Sequence, residues 1–389
     1  MAGAARRRRT RGQVPQVIPL VVPELAGNEA RYLQECVTSG YVSSAGPFVG
    51  RFEREFAAQL GAEHAVACAS GTAALHVALR LLGAGPGKLV AVSDFTFIAS
   101  ANAISYTGAD MLLVDSEPRT WNMDTELLHD EVVRRARNGG RLPDVIEIVH
   151  VLGHPADVEP LLELRNRFGI PIVEDAAESL GASWKPGPQV GTVGDIGCFS
   201  FNGNKLVTTG GGGMIVTGER ALAERARHLI NQAKLSDDQY LHDTIGYNYR
   251  LANVGAALGV AQIERIGDIM RAKRLIAQRY ERWLAGLAVT PAPCAEWARP
   301  SYWLYSILLS AAVDLDSIVD AASVAGVQAR RVWPPLHRQK PYVHTERLGG
   351  HVADDLYRRG LSLPSSAGLP ESDQRVVCDR LHRILPTAP

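Results

Sequence analysis

The sequence predicts an α/β protein: a large domain on a mostly parallel mixed sheet, then a smaller α+β domain. Three observations predict it. Short apolar runs alternate with helical patterns from about His64 to Asp175, at the spacing of strand–helix units. The pattern changes near Asn253, where a long helical stretch begins. The 389 residues are enough for one large domain plus a smaller one.

The elements follow in order. Residues 1–17 carry the cluster RRRR on a polar stretch and are expected to be a disordered basic tail. No apolar segment follows that cluster, so it does not read as a signal peptide. NEARYLQECVTSG and FVGRFEREFAAQLG have apolar residues at helical spacing, and each ends on glycine. HAVACAS is a strand, and GTAALHVALRLLG after it a helix. KLVAVS, MLLVD, DVIEIVHV and IPIVED are further strands. IASANAISYTG, ELLHDEVVRRAR and VEPLLELRNRFG are the helices between them. GCFSF and GMIVT lie close together, as antiparallel or edge strands do. ANVGAALGVAQIERIGDIMRAKRLIAQRYERWLAGL reads as one long helical stretch leading to the second domain. SYWLYSILL is strand-like there, and DLDSIVDAASVAG and ESDQRVVCDRLHRIL are helical. The expected division is 18–265 for the large domain and 266–389 for the small one.

Composition excludes several classes. Lys plus Arg equals Asp plus Glu, 41 each, so nothing in the balance asks for nucleic acid or an anionic membrane. No apolar run reaches membrane-spanning length. The five cysteines are scattered, without metal-ligand spacing, and suit a reducing cytoplasm as buried small hydrophobes.

Four stretches carry chemistry. In ASGTAALHVAL a strand ends, Ser70-Gly71-Thr72 turn, and a helix begins. Its free N–H groups could seat a phosphate, or Ser70-Gly71-Thr72 could be a plain helix cap. In VEDAAESLGA, Asp175 lies where a strand should end, at the sheet edge where open α/β sheets bind ligands. It could hold a protonated ring nitrogen, or cap a helix with Glu178 completing a capping box. In FSFNGNKLVTTGGGG, Lys205 stands among small residues that let backbone approach closely; it could be a reactive amine, or an exposed lysine in a flexible turn. A phosphate loop is excluded by order, because GxxxxGK[ST] puts its glycines before the lysine. No G-x-G-x-x-G opens a βαβ unit, so a dinucleotide site is not indicated. In GYNYRLANVGAALG, polar aromatic residues crowd the start of a helix. Together these supply an amine, a partner for a ring nitrogen and a phosphate seat, which is what pyridoxal 5'-phosphate (PLP) requires.

The chain resembles the DegT/DnrJ/EryC1/StrS aminotransferases, PLP enzymes that aminate keto groups on nucleotide sugars. The stretches that carry the resemblance run in order: SGYVSSAGPFVGRFE, ASGTAAL, DFTFIASANAI, VDSEPRTWNMD, GHPADVEP, VEDAAESLGA, GDIGCFSFNGNKLVTTGGGGMIVT and GYNYRLANVGAALG. EDAAESLG, FSFNGNK and TTGGGG look most like the branch acting at C4 of UDP-linked 4-keto-6-deoxy N-acetyl sugars, of the bacillosamine and legionaminic acid type.

The resemblance implies a type I, aspartate-aminotransferase-like fold and a cytoplasmic homodimer with shared active sites. It implies that Lys205 is the Schiff-base lysine and Asp175 the partner of the pyridine nitrogen. Glu178 approaches the cofactor's 3-hydroxyl and Phe97 stacks on its ring. Gly71, Thr72 and Ser200 hold its phosphate, and Asn248 reaches the phosphate of the neighbouring subunit. Ser44, in the SSAG loop, is expected to contact substrate. L-glutamate is the implied amino donor, pyridoxamine phosphate the intermediate, and a UDP-linked sugar is preferred to a dTDP- or GDP-linked one as acceptor. Other readings are C3 or cyclitol amination, dehydration of the sugar by relatives with histidine for the lysine, and a non-catalytic regulator. Lys205 speaks against the last two.

Overall fold

The computed structural model describes residues 17–236 and 239–387. The basic tail therefore lies, save its last residue, outside the described residues. An eight-stranded sheet forms the centre, in the order His64–Cys68, Gly213–Thr217, Ile196–Ser200, Ile172–Asp175, Val145–Val149, Leu89–Ser93, Asp110–Val114 and Glu346–Leu348. The pairs made by Gly213–Thr217 with its two neighbours are antiparallel. All the others are parallel. GCFSF and GMIVT are thus the antiparallel pair expected of them, but the first also joins the parallel strands through Ile172–Asp175.

The parallel strands are apolar on both faces because helices cover both. The helices Gly71–Leu81, Ala99–Thr107 and Arg220–Ile230 pack on one side, around Leu75, Leu79, Ile104 and Val173. Pro47–Leu60 and Asn253–Ile263 pack on the other, where Phe52, Phe56, Phe199 and Phe201 meet edge to face. The Pro47–Leu60 helix stops at Gly61, whose φ of 69° a side chain would resist.

A second, four-stranded sheet joins Arg330–Arg331, Gly360–Leu363, Tyr305–Leu309 and Val289–Pro291, and it is antiparallel throughout. Leu315–Val324 and Glu371–Ile384 pack with it around Tyr280, Tyr305, Ile307 and Leu381. Two segments cross the line that the sequence draws at residue 266. Glu346–Leu348 pairs with Asp110–Val114 of the central sheet. Ile18, near the start of the described chain, bridges to Val327 in the second domain.

The stretch read as one long helix is two, Asn253–Ile263 and Ile266–Trp283. Between them the Glu264 carboxylate accepts from Tyr32 and Asn28, both at 2.6 Å, and Arg265 reaches Glu24 at 3.0 Å. These are tertiary contacts; no proline lies at the break, and Gly267 falls just inside the second helix. The first helix is buried nearly all round, whereas the second buries one face. Cys294 is exposed, against the expectation of a buried thiol; the other four cysteines are buried. Among the described residues no helix is long and apolar enough to cross a membrane.

Candidate active site

The ends of three neighbouring elements meet at one cavity of about 390 Å³. Ser70, Gly71 and Thr72 come from the turn after His64–Cys68, Glu178 from the turn after Ile172–Asp175, and Ser200 from the end of Ile196–Ser200. Lys205 reaches in from the following loop. The opposite wall comes from the second domain and its approach, with Trp303, Arg330 and Trp333.

The helix start is built as its sequence suggests. Ser70 Oγ accepts from Ala73 N–H at 3.0 Å, and the Ser70 carbonyl from Ala74 N–H at 3.0 Å. The N–H groups of Gly71 and Thr72 remain for a ligand in the cavity they line. A Cβ on Gly71 would come within 2.6 Å of Ser200 Cβ. Glycine therefore lets the helix start lie against the strand end, with Ser200 beside it.

No helix follows Asp175, which corrects the helix-cap and capping-box readings. The chain turns instead. Asp175 Oδ2 accepts from Ser100 Oγ at 2.8 Å, and Oδ1 from Ala177 N–H at 3.1 Å. Burial pushes this carboxyl above its ordinary value; the two hydrogen bonds and the Lys205 charge pull it back. A buried carboxylate held only by neutral donors would gain from a cationic ring nitrogen nearby. Asp175 does not itself line the cavity; its neighbours Ala177 and Glu178 do.

Lys205 Nζ lies 3.4 Å from Glu178 Oε1 and 4.0 Å from the centroid of the Trp303 ring. The other Glu178 oxygen accepts from Leu152 N–H at 2.9 Å. Burial pushes the Glu178 carboxyl up to about 7, against the pull of Lys205 and the Leu152 N–H. Phe97 lines the same cavity with half its surface exposed, at 51 %, as a stacking face would be.

Seven sequence-derived residues thus come together: Gly71, Thr72, Phe97, Asp175, Glu178, Ser200 and Lys205. Ser44 and Asn248 are not among the residues lining this cavity. They are linked through Arg250 and Asn231. Arg250 donates to the Ser44 carbonyl at 2.5 Å and to Asn231 Oδ1 at 3.5 Å, and Asn231 bridges to Asn248 through the backbone. Sequence reasoning missed Ser100, Trp303, Arg330 and Trp333. The tryptophans stack on one another at 6.1 Å and 10°. They lie some thirty residues apart in stretches with no motif of their own, so only a large aromatic in a polar region could have signalled them.

An amine beside an acid, a buried carboxylate beneath it and a glycine-lined helix start suit PLP, and the fold around them is that of PLP-dependent transferases. The comparisons agree. The model of the DegT/DnrJ/EryC1/StrS aminotransferase family matches residues 23–382, and the chain belongs to that family. It is 38% identical over 372 residues to the GDP-perosamine synthase of Caulobacter vibrioides, covering 95% of this chain and 98% of that protein. It is 38% identical over 371 residues to EpsN of Bacillus subtilis, named a putative pyridoxal phosphate-dependent aminotransferase, covering 94% and 95%. A crystal structure of a DegT DnrJ EryC1 StrS aminotransferase from Brucella abortus matches with a TM-score of 0.85 at 30% identity, covering 92% of this chain and 95% of that one. The protein is a PLP-dependent aminotransferase.

Proposed function

We propose that this enzyme moves an amino group from L-glutamate to the keto carbon of a nucleotide-linked sugar. The observation that carries this reading is the placement of Lys205, Glu178 and Asp175 at one end of the parallel strands, in a chain alike over nearly its whole length to a GDP-perosamine synthase.

PLP, when bound, supplies the carbon that carries the amino group and a ring that takes up an electron pair. The Lys205 amine would hold it and would serve as the general acid–base that moves the proton at the substrate carbon. Asp175 would pair with the ring nitrogen and keep it protonated, since a nearby negative charge raises that nitrogen's pKa. Glu178 would approach the 3-hydroxyl, Phe97 would cover one ring face, and Gly71, Thr72 and Ser200, which line the same cavity, would hold the phosphate. The Arg330 side chain has no partner among the described residues and lines the cavity opposite, which supports an anionic substrate. Arg331 beside it is engaged by Asp316 at 2.5 Å and by the Tyr357 carbonyl at 3.2 Å.

The motif wording supports a UDP-linked N-acetyl sugar aminated at C4, whereas the name of the Caulobacter relative supports a GDP-linked one. Ser44, Arg250 and Asn248, clustered outside their own chain's cavity, support a homodimer in which they complete the partner's site.

The test is an absorbance spectrum before and after L-glutamate, followed by a panel of GDP-, UDP- and dTDP-linked keto sugars. A visible cofactor band that glutamate bleaches, and turnover of one sugar, is the expected result. A protein that binds no PLP would overturn the reading.

A further inference from the structure

We propose that Lys273 is a positioning residue for this reaction, holding Trp303 against the Lys205 amine. The inference rests on the reading of Lys205 as the reacting group.

Lys273 lies on the Ile266–Trp283 helix and is 3% exposed. Among the described residues it forms no ion pair with a carboxylate. Its ammonium donates to the Trp303 carbonyl at 2.7 Å and to the Ser365 carbonyl. Those two segments flank the paired strands Tyr305–Leu309 and Gly360–Leu363. Burial pushes the amine down to about 7. Methionine, of nearly the same length, would fill that space without this penalty, so packing alone does not account for a lysine here.

What the amine holds is a strained turn. Tyr302 has φ of 53°, a region that bulky side chains avoid, so its conformation must be imposed from both sides. Ser301 supplies one anchor, donating to the Gly153 carbonyl at 2.9 Å through its N–H and to the Glu178 carbonyl at 3.0 Å through its hydroxyl. Lys273 supplies the other, on the Trp303 carbonyl. The Trp303 side chain then points back to the loop of the reacting lysine. Its indole N–H donates to the Asn204 carbonyl at 2.7 Å, and its ring lies 4.0 Å from Lys205 Nζ. A ring face there attracts the amine and limits where it can sit. Lys273 does not line the main cavity, and it shares with Lys205 and Trp303 only a small adjoining pocket, so it acts through Trp303.

Two measurements test this. In the ligand-free protein, competitive labelling of lysines by an amine-acetylating reagent, read by mass spectrometry, reports Lys205 directly. We expect Lys273→Met to raise the Lys205 labelling rate about five-fold, leaving exposed lysines unchanged, because the ring no longer covers the amine. In the holoenzyme we expect kcat to fall about ten-fold with little change in KM for the amino donor. Trp303→Leu should do the same, and the double variant should be no worse than either alone. Additive losses, or an unchanged Lys205 rate beside a lowered Tm, would show Lys273 to be merely structural. Should Lys273→Met not fold, Lys273→Gln, which keeps one donor, replaces it in both measurements. The labelling arm needs no cofactor, so its failure is distinct from failure of the aminotransfer reading, which wild-type turnover decides.

Discussion

Glu178 and Lys205 show how few atoms set the chemistry. Burial raises the Glu178 carboxyl to about 7 in the fold, against roughly 4.3 for a free glutamate. The native state therefore holds a proton that the unfolded chain gives up between those values. Stability from this source is fully present below about 4.3 and is lost as pH rises through 7. For the ligand-free enzyme we expect Tm to fall between pH 5 and pH 8, and Glu178→Gln to flatten that fall. An equal slope in the variant would count against it. Lys205→Ala should lower kcat by ~10²–10⁴, the usual contribution of a general acid–base group. Its Tm should stay close to that of the wild type, because the amine is lost from the cavity and the Glu178 left behind can take up a proton.

At the scale of elements, the strand ends and helix starts carry the site, and they obey local rules. Ser70 is a helix N-cap by residue type and by geometry. Gly71 is required by the neighbouring strand, because a Cβ there collides with Ser200. Gly71→Ala should weaken PLP binding by about ten-fold or more, measured by equilibrium dialysis, while far-ultraviolet circular dichroism stays unchanged. A full-affinity variant would remove Gly71 from the phosphate seat. The central strand Val145–Val149 contains an exception to the apolar rule. Glu147 is 0% exposed and neither carboxylate oxygen has a hydrogen-bond partner. Burial pushes it well above its ordinary value, and the Asp175 charge pushes the same way. Glu147→Leu removes a desolvation cost of about 1–3 kcal/mol and should raise the Tm at pH 8, more than at pH 5. No rise at pH 8 would show that the carboxyl is satisfied in solution.

At the scale of the molecule, the cavity is closed by contributions from distant parts of the chain. Residues near position 20, the central strands and the segment from Trp303 to Trp333 all line it. If Asn248 serves the partner's site, two inactive variants should rescue each other. Lys205→Ala and Asn248→Ala, mixed after reversible dissociation, should regain roughly a quarter of wild-type activity from the heterodimer's one intact site. Activity that stays at the level of the separate variants would place Asn248 outside the shared site.

The strands and helices around the site were legible because their signals are local. Apolar alternation, terminal glycines and the Ser70 cap each depend on a few neighbouring residues, and the structure places most elements so read within a residue or two; the strand in SYWLYSILL begins only at Tyr305, and Arg330–Arg331 and Gly360–Leu363, which also carry cavity residues, went unread. The motifs that single out Lys205, Asp175 and Gly71 are short for a related reason, since reactive chemistry restricts residue type over a few neighbours, and the structure brings the three to one end of the parallel strands. What only the tertiary structure decided is long-range. The break at Glu264–Arg265 is set by Asn28, Tyr32 and Glu24, all more than two hundred residues away. The pairing of Glu346–Leu348 with the central sheet has no local mark. The Lys273–Trp303–Lys205 chain joins three segments whose spacing says nothing of contact. Sequence determines what a few adjacent residues must do, because their backbone and side-chain chemistry are fixed by identity. Packing decides which distant groups meet, because it depends on the surface buried by the whole chain at once.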